Sequence, residues 1–433
     1  MSRPHRILLI AEAANPEWTS VPLVGWNLSR ALAKVVDVHL VTHIRNRDAI
    51  VRAGLTEGHD FTTVDNERVA APLFKLAQRL RGGAGKGWTT NTAFSSLAYY
   101  SFELELWRQF RTRFAAHEFD LVHRITPLSP TSQSILARRL ARLNIPFVIG
   151  PLNGGVPWPK HFKVRQYAER DWLSHVRWVY KFMPGYRSTR LYSAAIIVGS
   201  KHTYGEMPSW AKEKCVYIPE NGVSLERLEF VRDRSACLPL RGAFVGRLVP
   251  YKGADILLEA TANFLRKKQL ELDIIGDGPQ RPLLEAMVAR LGIQSSVRFH
   301  GWIPHVEVPN TLRTCDFMAL PSIREFGGGV VIESMALGVT PIVADYAGPS
   351  ELVDEKTGIR VPFHDSKSLV EGMRLAIGRI VGAPEMLDKL GVTARQKARE
   401  TFTWEAKANQ VAAIYAAVLS GATKLPFSDL QSR

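Results

Sequence analysis

Cysteine is scarce in this chain. Three residues (Cys215, Cys237 and Cys315) stand among 433, with no metal-ligand spacing and too few partners for a disulfide framework. A reducing cytoplasm fits. Long apolar runs are missing as well. No stretch approaches the roughly 18 apolar residues that a membrane-crossing helix needs. The N-terminal run Ile7-Leu8-Leu9-Ile10 is cut short by Glu12, so it reads as a first strand and not as a secretion signal. No Asp-x-Asp pair stands at a strand end to hold a divalent cation against a diphosphate. The segment Gly82-Gly83-Ala84-Gly85-Lys86-Gly87 lacks the Gly-Lys-Ser/Thr ending of a nucleotide P-loop and reads as a flexible loop. Any phosphate chemistry here would therefore fall to cationic side chains and backbone N–H groups, with no metal and no cofactor expected.

What is present is ordinary in bulk and uneven in charge. Hydrophobic content of 46% and charged content of 22% suit a globular protein, and 433 residues suffice for two or more domains. Residues 1–240 carry 33 Lys and Arg against 20 Asp and Glu, a net of +13. Residues 241–400 carry 20 against 19, and residues 401–433 carry 3 against 2, so each adds only +1 to the total of +15. The basic half would face an anionic partner (a phospholipid surface, a lipid diphosphate or nucleic acid), or it serves solubility alone. Pro72 to Arg81 spaces apolar residues helically with cations between them, which suits a membrane surface or an amphipathic helix packed on its own domain. Residues 160–190 hold eight Lys or Arg, two acids and seven aromatics, with Trp172, Trp178, Tyr180 and Phe182 among Arg170, Arg177 and Lys181. That mixture fits a bilayer interface, a base-stacking surface or a buried helical pair.

Along the chain, short apolar runs alternate with helix-compatible ones. Residues 6–11, a helix over 23–34 and a strand over 36–42 make the β–α–β opening of a doubly wound parallel sheet. Gly25, at the entry of that helix, is a candidate phosphate-facing glycine or a plain helix-start glycine. Further strands are predicted at 120–123, 145–149, 194–198 and 215–218. Residues 224–240 are charged and irregular and read as an interdomain linker. The strand pattern then restarts at 242–245, 272–275, 297–299, 317–320 and 341–344, with helices at 253–268, 281–291 and 330–337. A last helix spans 403–419.

The second half carries the chemistry. Glu325-Phe326-Gly327-Gly328-Gly329-Val330-Val331-Ile332-Glu333 follows a strand and enters a helix. Such a glycine loop aims backbone N–H groups and the positive end of a helix dipole at one place, which suits a phosphate. A tight αβ turn with two carboxylates near a helix start accounts for the same residues. Arg247 and Lys252, after strand 242–245, offer a bidentate fork and a point charge to a diphosphate, or are solvated surface cations. Gly276-Asp277-Gly278 and Phe299-His300-Gly301-Trp302 end two more strands on the same side, where backbone groups can edge onto a nucleobase. The set predicts a nucleoside-diphosphate site. Arg247 and Lys252 would hold the diphosphate, the N–H groups of Gly328, Gly329 and Val330 the distal phosphate, and Glu325 and Glu333 the sugar and ribose hydroxyls.

These residues resemble a known family. Gly246-Arg247-Leu248 with Lys252-Gly253, Gly276-Asp277-Gly278, Phe299-His300-Gly301, Pro321-Ser322, Glu325-x7-Glu333 and Gly348-x-x-Glu351 are together similar to the family 4 retaining glycosyltransferases of GT-B fold. The resemblance spans about 190–415 closely and 1–190 weakly. It implies an α/β protein of two Rossmann-like doubly wound domains facing a central cleft. Residues 1–223 would bind the acceptor, 224–240 would link, and 241–402 would bind the nucleotide-sugar donor, with the helix at about 403–420 crossing back to the first domain. It implies a UDP- or GDP-linked sugar as donor, a glycan or polyprenyl-diphosphate-linked acceptor, no nucleic acid, and a role in cell-surface polysaccharide or glycolipid synthesis. The setting would be cytoplasmic, with peripheral attachment to the inner face of the plasma membrane. Glu325, Arg247 and Lys252 would be catalytic; His123, Arg124, Thr126, Asn153 and Gly154 would line the acceptor side. Many relatives carry His-x-His after the strand at 120–123, whereas this chain has His123-Arg124-Ile125, so Ile125 stands where the second histidine would be. A GT-B sugar-nucleotide epimerase and a membrane- or nucleic-acid-binding protein with a degenerate donor site are the alternative readings.

Overall fold

The computed structural model describes residues 5–80, 88–168, 179–232 and 235–428. The chain divides into two compact units. The first comprises residues 1–155, 170–220 and 404–433; the second comprises 156–169 and 221–403.

The first unit is built on a seven-stranded sheet: β1 (Arg6–Ala11), β2 (Asp37–His43), β3 (Phe61–Val64), β4 (Leu121–Thr126), β5 (Phe147–Leu152), β6 (Ala195–Val198) and β7 (Cys215–Tyr217). Their order is β3-β2-β1-β4-β5-β6-β7, and every pairing is parallel. Parallel strands joined by crossover helices are covered on both faces, which is why these strands are apolar at nearly every position. Successive side chains of β1 divide accordingly. Ile7 and Leu9 face a core shared with Val24, Leu28, Trp404, Ala408, Val411 and Tyr415. Leu8 and Ile10 face another core, built with Tyr99, Phe102, Leu106, Phe110 and Phe114 of the helix Trp88–Ala115. Each such side chain, fully buried, contributes roughly 1.5–3 kcal/mol. The helix Trp404–Leu419 packs beside the helix Val21–Leu32 and belongs to this unit.

The second unit has six strands: β8 (Leu240–Val245), β9 (Leu270–Ile275), β10 (Val297–Gly301), β11 (Phe317–Leu320), β12 (Thr340–Ala344) and β13 (Ile359–Val361). They run parallel in the order β10-β9-β8-β11-β12-β13 around one continuous core. Strand order reverses between β8 and β11. An open α/β sheet places its ligand crevice at such a point.

Several elements differ from the sequence reading. The edge strands β3 and β13 and the helices Ser366–Gly382 and Glu385–Lys397 were not anticipated. Residues 224–240, expected as a linker, are packed into the second unit. Leu228 joins its core, and Arg232 pairs with Asp316 and Asp388 while its backbone N–H donates to the Leu337 carbonyl (2.9 Å). Residues 156–169, read as first-domain sequence, also cluster with the second unit. The region 71–116 resolves into two helices, Glu67–Leu80 and Trp88–Ala115. The glycine-rich run 82–87 lies outside the described residues, as do Trp172, Trp178, Arg170 and Arg177. Of that aromatic cluster, Tyr180 is buried and Phe182 exposed.

Candidate active site

At the switch point of the second unit, the loops after β8 and β11 are tied by backbone. The Tyr251 carbonyl accepts from the Ile323 N–H (2.9 Å) and from Ser322 Oγ (3.2 Å). Gly253 takes φ +76°, and a Cβ there would lie 2.5 Å from the Pro321 carbonyl oxygen, so only glycine lets the two loops approach. That approach brings residues 73 positions apart into contact: Lys252 Nζ donates to Glu325 Oε2. The two side chains are 15% and 19% exposed. Burial works against the Lys252 ammonium, but the Glu325 charge outweighs it and holds the lysine above its ordinary range. Arg247, on the same loop, is exposed.

Gly328 caps the helix Gly329–Leu337 in the left-handed conformation, with φ 59°. Gly329 and Val330 therefore open the helix, where N–H groups have no intrahelical acceptor. Glu333 is the fifth helical residue and lies a full turn in, not in the first turn as the sequence suggested. Its Oε1 accepts a 2.7 Å hydrogen bond from His305 Nε2, which raises the His305 pKa, while burial and Arg227 oppose it. Arg227 in turn reaches His305 Nδ1 (3.2 Å) and the His305 carbonyl (3.1 Å). Neither His305 nor Arg227 was picked from the sequence. The one available hint was the position of His305, three residues past Trp302 in a loop already marked.

The other two strand ends pack backbone on backbone. The Gly246 N–H donates to the Ile275 carbonyl (2.9 Å) and the Gly276 N–H to the Gly301 carbonyl (2.8 Å). Trp302, beside Gly301, is 74% exposed. Residues 156–168 lie along the same loops. Arg324 Nε donates to the Val156 carbonyl (3.1 Å), and its guanidinium sits 5.1 Å from the Trp158 ring and 5.5 Å from the Phe326 ring. Tyr346 donates to the Pro157 carbonyl (2.9 Å), and Arg165 makes a two-toothed pair with Asp255 (2.7 and 3.0 Å). Among the described residues, no group of three or more His, Cys, Asp or Glu is placed to hold a metal.

In the first unit, the residues expected on the acceptor side are buried. All six residues of β4 are buried. His123 Nε2 meets the Gly150 carbonyl (2.7 Å) and Nδ1 the Tyr415 hydroxyl (2.5 Å); burial pushes its pKa down to about 4, so it is neutral. Arg124 points to the opposite face, donates to the Ser132 carbonyl (2.7 Å) and lies 5.6 Å from the Tyr99 ring. Thr126 Oγ1 accepts from the Ala13 N–H (3.0 Å), and Asn153 donates to Glu220 (2.6 Å) while its own oxygen accepts from the Gly154 N–H (2.8 Å). These polar groups are spent inside the unit. Ile125 lies in its core. Gly25 stands inside the helix Val21–Leu32, where a Cβ would lie 2.1 Å from the Ala13 carbonyl oxygen, so close packing explains this glycine.

Two parallel doubly wound sheets, the second with a glycine-lined switch point, give the GT-B class of fold. The chain superposes on sucrose-phosphate synthase from Thermosynechococcus elongatus with a TM-score of 0.60 at 19% identity, covering 96% of this chain and all of that one. Anabaena HepE, solved with UDP and glucose, aligns with a TM-score of 0.56 at 15% identity, covering 95% of this chain and all of that one. Residues 242–397 match the family described as Glycosyl transferases group 1. A D-inositol 3-phosphate glycosyltransferase of Streptomyces griseus subsp. griseus is 32% identical over 212 residues, 46% of this chain and 43% of the relative. The chain thus spans half or less of the length of the curated relatives it matches.

Proposed function

We propose that this protein transfers a sugar from a UDP- or GDP-linked donor to a glycan or polyprenyl-diphosphate-linked acceptor, in cell-surface polysaccharide or glycolipid synthesis. The anomeric configuration is retained and no metal takes part. The observation that carries the reading is the meeting of Lys252 and Glu325 at the switch point of the group 1 domain. The named activity of the Streptomyces relative and the UDP and glucose bound to HepE support it. As the bond from the anomeric carbon to the diphosphate oxygen breaks, negative charge collects on the diphosphate. Lys252 and Arg247 stabilise that charge, a fixed electrostatic contribution of the kind that dominates such reactions. Glu325 holds donor-sugar hydroxyls beside the reacting carbon, and Glu333 accepts from the ribose. The acceptor hydroxyl attacks the oxocarbenium-like centre from the face the diphosphate leaves, and its proton passes to the departing oxygen.

Thermal unfolding of the whole chain tests the donor assignment. At about 100 times Kd a bound nucleotide adds about 2.7 kcal/mol, so UDP or GDP is expected to raise Tm by several degrees. If neither moves Tm and no donor sugar is hydrolysed, the chain is not a working transferase, and the degenerate-site alternative stands. The first unit supplies the membrane contact in this proposal. Its helix Glu67–Leu80 exposes Val69, Phe74 and Leu76 beside Arg68 and Lys75. Co-sedimentation with anionic vesicles should weaken as salt rises; binding that ignores lipid charge and salt would remove the membrane contact.

A further inference from the structure

Glu333 has a role above, but its partner His305 has none. Resting on the donor assignment just made, we propose that His305, set by Arg227, is a positioning residue that makes Glu333 selective for ribose over deoxyribose. Three elements of the second unit converge here. Arg227 belongs to the short turn Leu225–Glu229, anchored by buried Leu228. His305 stands in the loop after β10, and Glu333 one turn into the helix Gly329–Leu337.

A guanidinium carries donors only. With Arg227 donating toward Nδ1 at 3.2 Å, that nitrogen is the acceptor and the ring proton sits on Nε2, aimed at Glu333 Oε1 2.7 Å away. A second proton on the ring would leave Nε2–H in place, so the bond to Glu333 holds in either charge state. A carboxylate offers two oxygens with about four lone-pair positions. His305 occupies one oxygen and fixes the rotamer; Oε2 keeps its lone pairs for a vicinal diol. Without His305 the carboxylate turns freely, and the bond that tells a 2′- or 3′-hydroxyl from hydrogen is averaged away. The loop that carries His305 also carries exposed Trp302, so one segment would meet the base and set the carboxylate that meets the ribose.

Titration calorimetry of the full chain with UDP and GDP, each against its 2′-deoxy and 3′-deoxy forms, tests this. One hydrogen bond to a charged group corresponds to a preference of roughly tenfold or more for the ribonucleotide in the unaltered protein. His305→Ala is expected to bring the ratio within about threefold of unity, while His305→Gln, whose amide N–H reaches the place of Nε2, restores it. Should His305→Ala not fold, Arg227→Met keeps the ring, frees its tautomer and is expected to lower the same ratio. An unchanged ratio in folded His305→Ala or in Arg227→Met overturns the proposal, as does unaltered protein that binds nucleotide without preferring ribose. Unaltered protein that binds neither nucleotide overturns the donor assignment itself, and this proposal with it.

Discussion

On the proposed donor assignment, Glu325 and a donor diphosphate would compete for one cation, Lys252, and that competition can be measured. Lys252 is bound to Glu325, with both side chains largely buried. A contact pair at an effective dielectric near 20 attracts by about 4 kcal/mol before desolvation is subtracted. Part of that must be surrendered when Lys252 turns to a diphosphate. Glu325→Gln keeps the shape and removes the charge. UDP or GDP should then bind about three- to tenfold more tightly, since about 1.4 kcal/mol is tenfold. Turnover should fall about 10²–10³-fold, because the group beside the reacting carbon is lost. Lys252→Met should act oppositely on affinity, weakening nucleotide tenfold or more through the loss of a charge-assisted contact. It should also destabilise the free protein by about 3–5 kcal/mol, because Glu325 is left without its cation. The double variant should recover most of that stability. Glu325 holds Lys252 above the ordinary lysine range, so the pair's contribution is complete below the unfolded lysine pKa and is lost only as pH climbs through the higher folded value. Calorimetry and donor hydrolysis near neutral pH therefore read the pair intact. If Glu325→Gln weakens nucleotide as much as Lys252→Met does, no competition exists. If Lys252→Met leaves affinity unchanged, the pair is structural only.

Two further outcomes follow from geometry elsewhere. Gly253→Ala should lower Tm and nucleotide affinity together, since φ +76° and a backbone oxygen 2.5 Å from the new Cβ displace the loop that carries Lys252. Gly292→Ala, with φ +66° and open space around it, should cost only about 1 kcal/mol and leave affinity alone. Lys407 is 1% exposed, and burial lowers its pKa from 10.5 to about 7 although the Glu220 charge opposes this. Between those values the unfolded chain holds more protons, so stability should rise with pH from about 7 to 10.5, by on the order of 5 kcal/mol at most. Lys407→Met should flatten that rise in pH-dependent melting; a slope equal to that of the unaltered chain would show that Lys407 titrates normally.

The strand-end loops of the second unit were legible because they are built from residues whose backbone or charge permits little else. Gly246, Gly253, Gly276 and Gly328 mark strand ends and a helix cap, and Arg247, Lys252, Glu325 and Glu333 stand at fixed offsets from them. What the sequence could not reveal was pairing across distance. Lys252 meets Glu325 because β8 and β11 are neighbours, and strand order is a property of the sheet. The partners of the expected acceptor residues were hidden for a related reason. The sequence predicts a strand at 120–123, and the family resemblance implies that His123, Arg124 and Thr126 line the acceptor side. In a sheet covered on both faces, those side chains are buried and bond to Tyr415, Gly150, Ser132 and Ala13. The partners lie up to 292 positions away. The short edge strands Phe61–Val64 and Ile359–Val361 were missed because three or four residues carry too little periodicity to register.

The first unit is assembled from three pieces of chain, and its last helix arrives only after residue 403. Trp404, Val411 and Tyr415 complete a core that Ile7 and Leu9 begin, and Tyr415 supplies the ring partner of His123. On a ribosome, that core stays open while all of 221–403 is synthesised. The second unit can close before the first is finished. Splitting the gene once, at any point, leaves at least one unit without part of its interior, so the two can be separated only by rejoining the pieces of each.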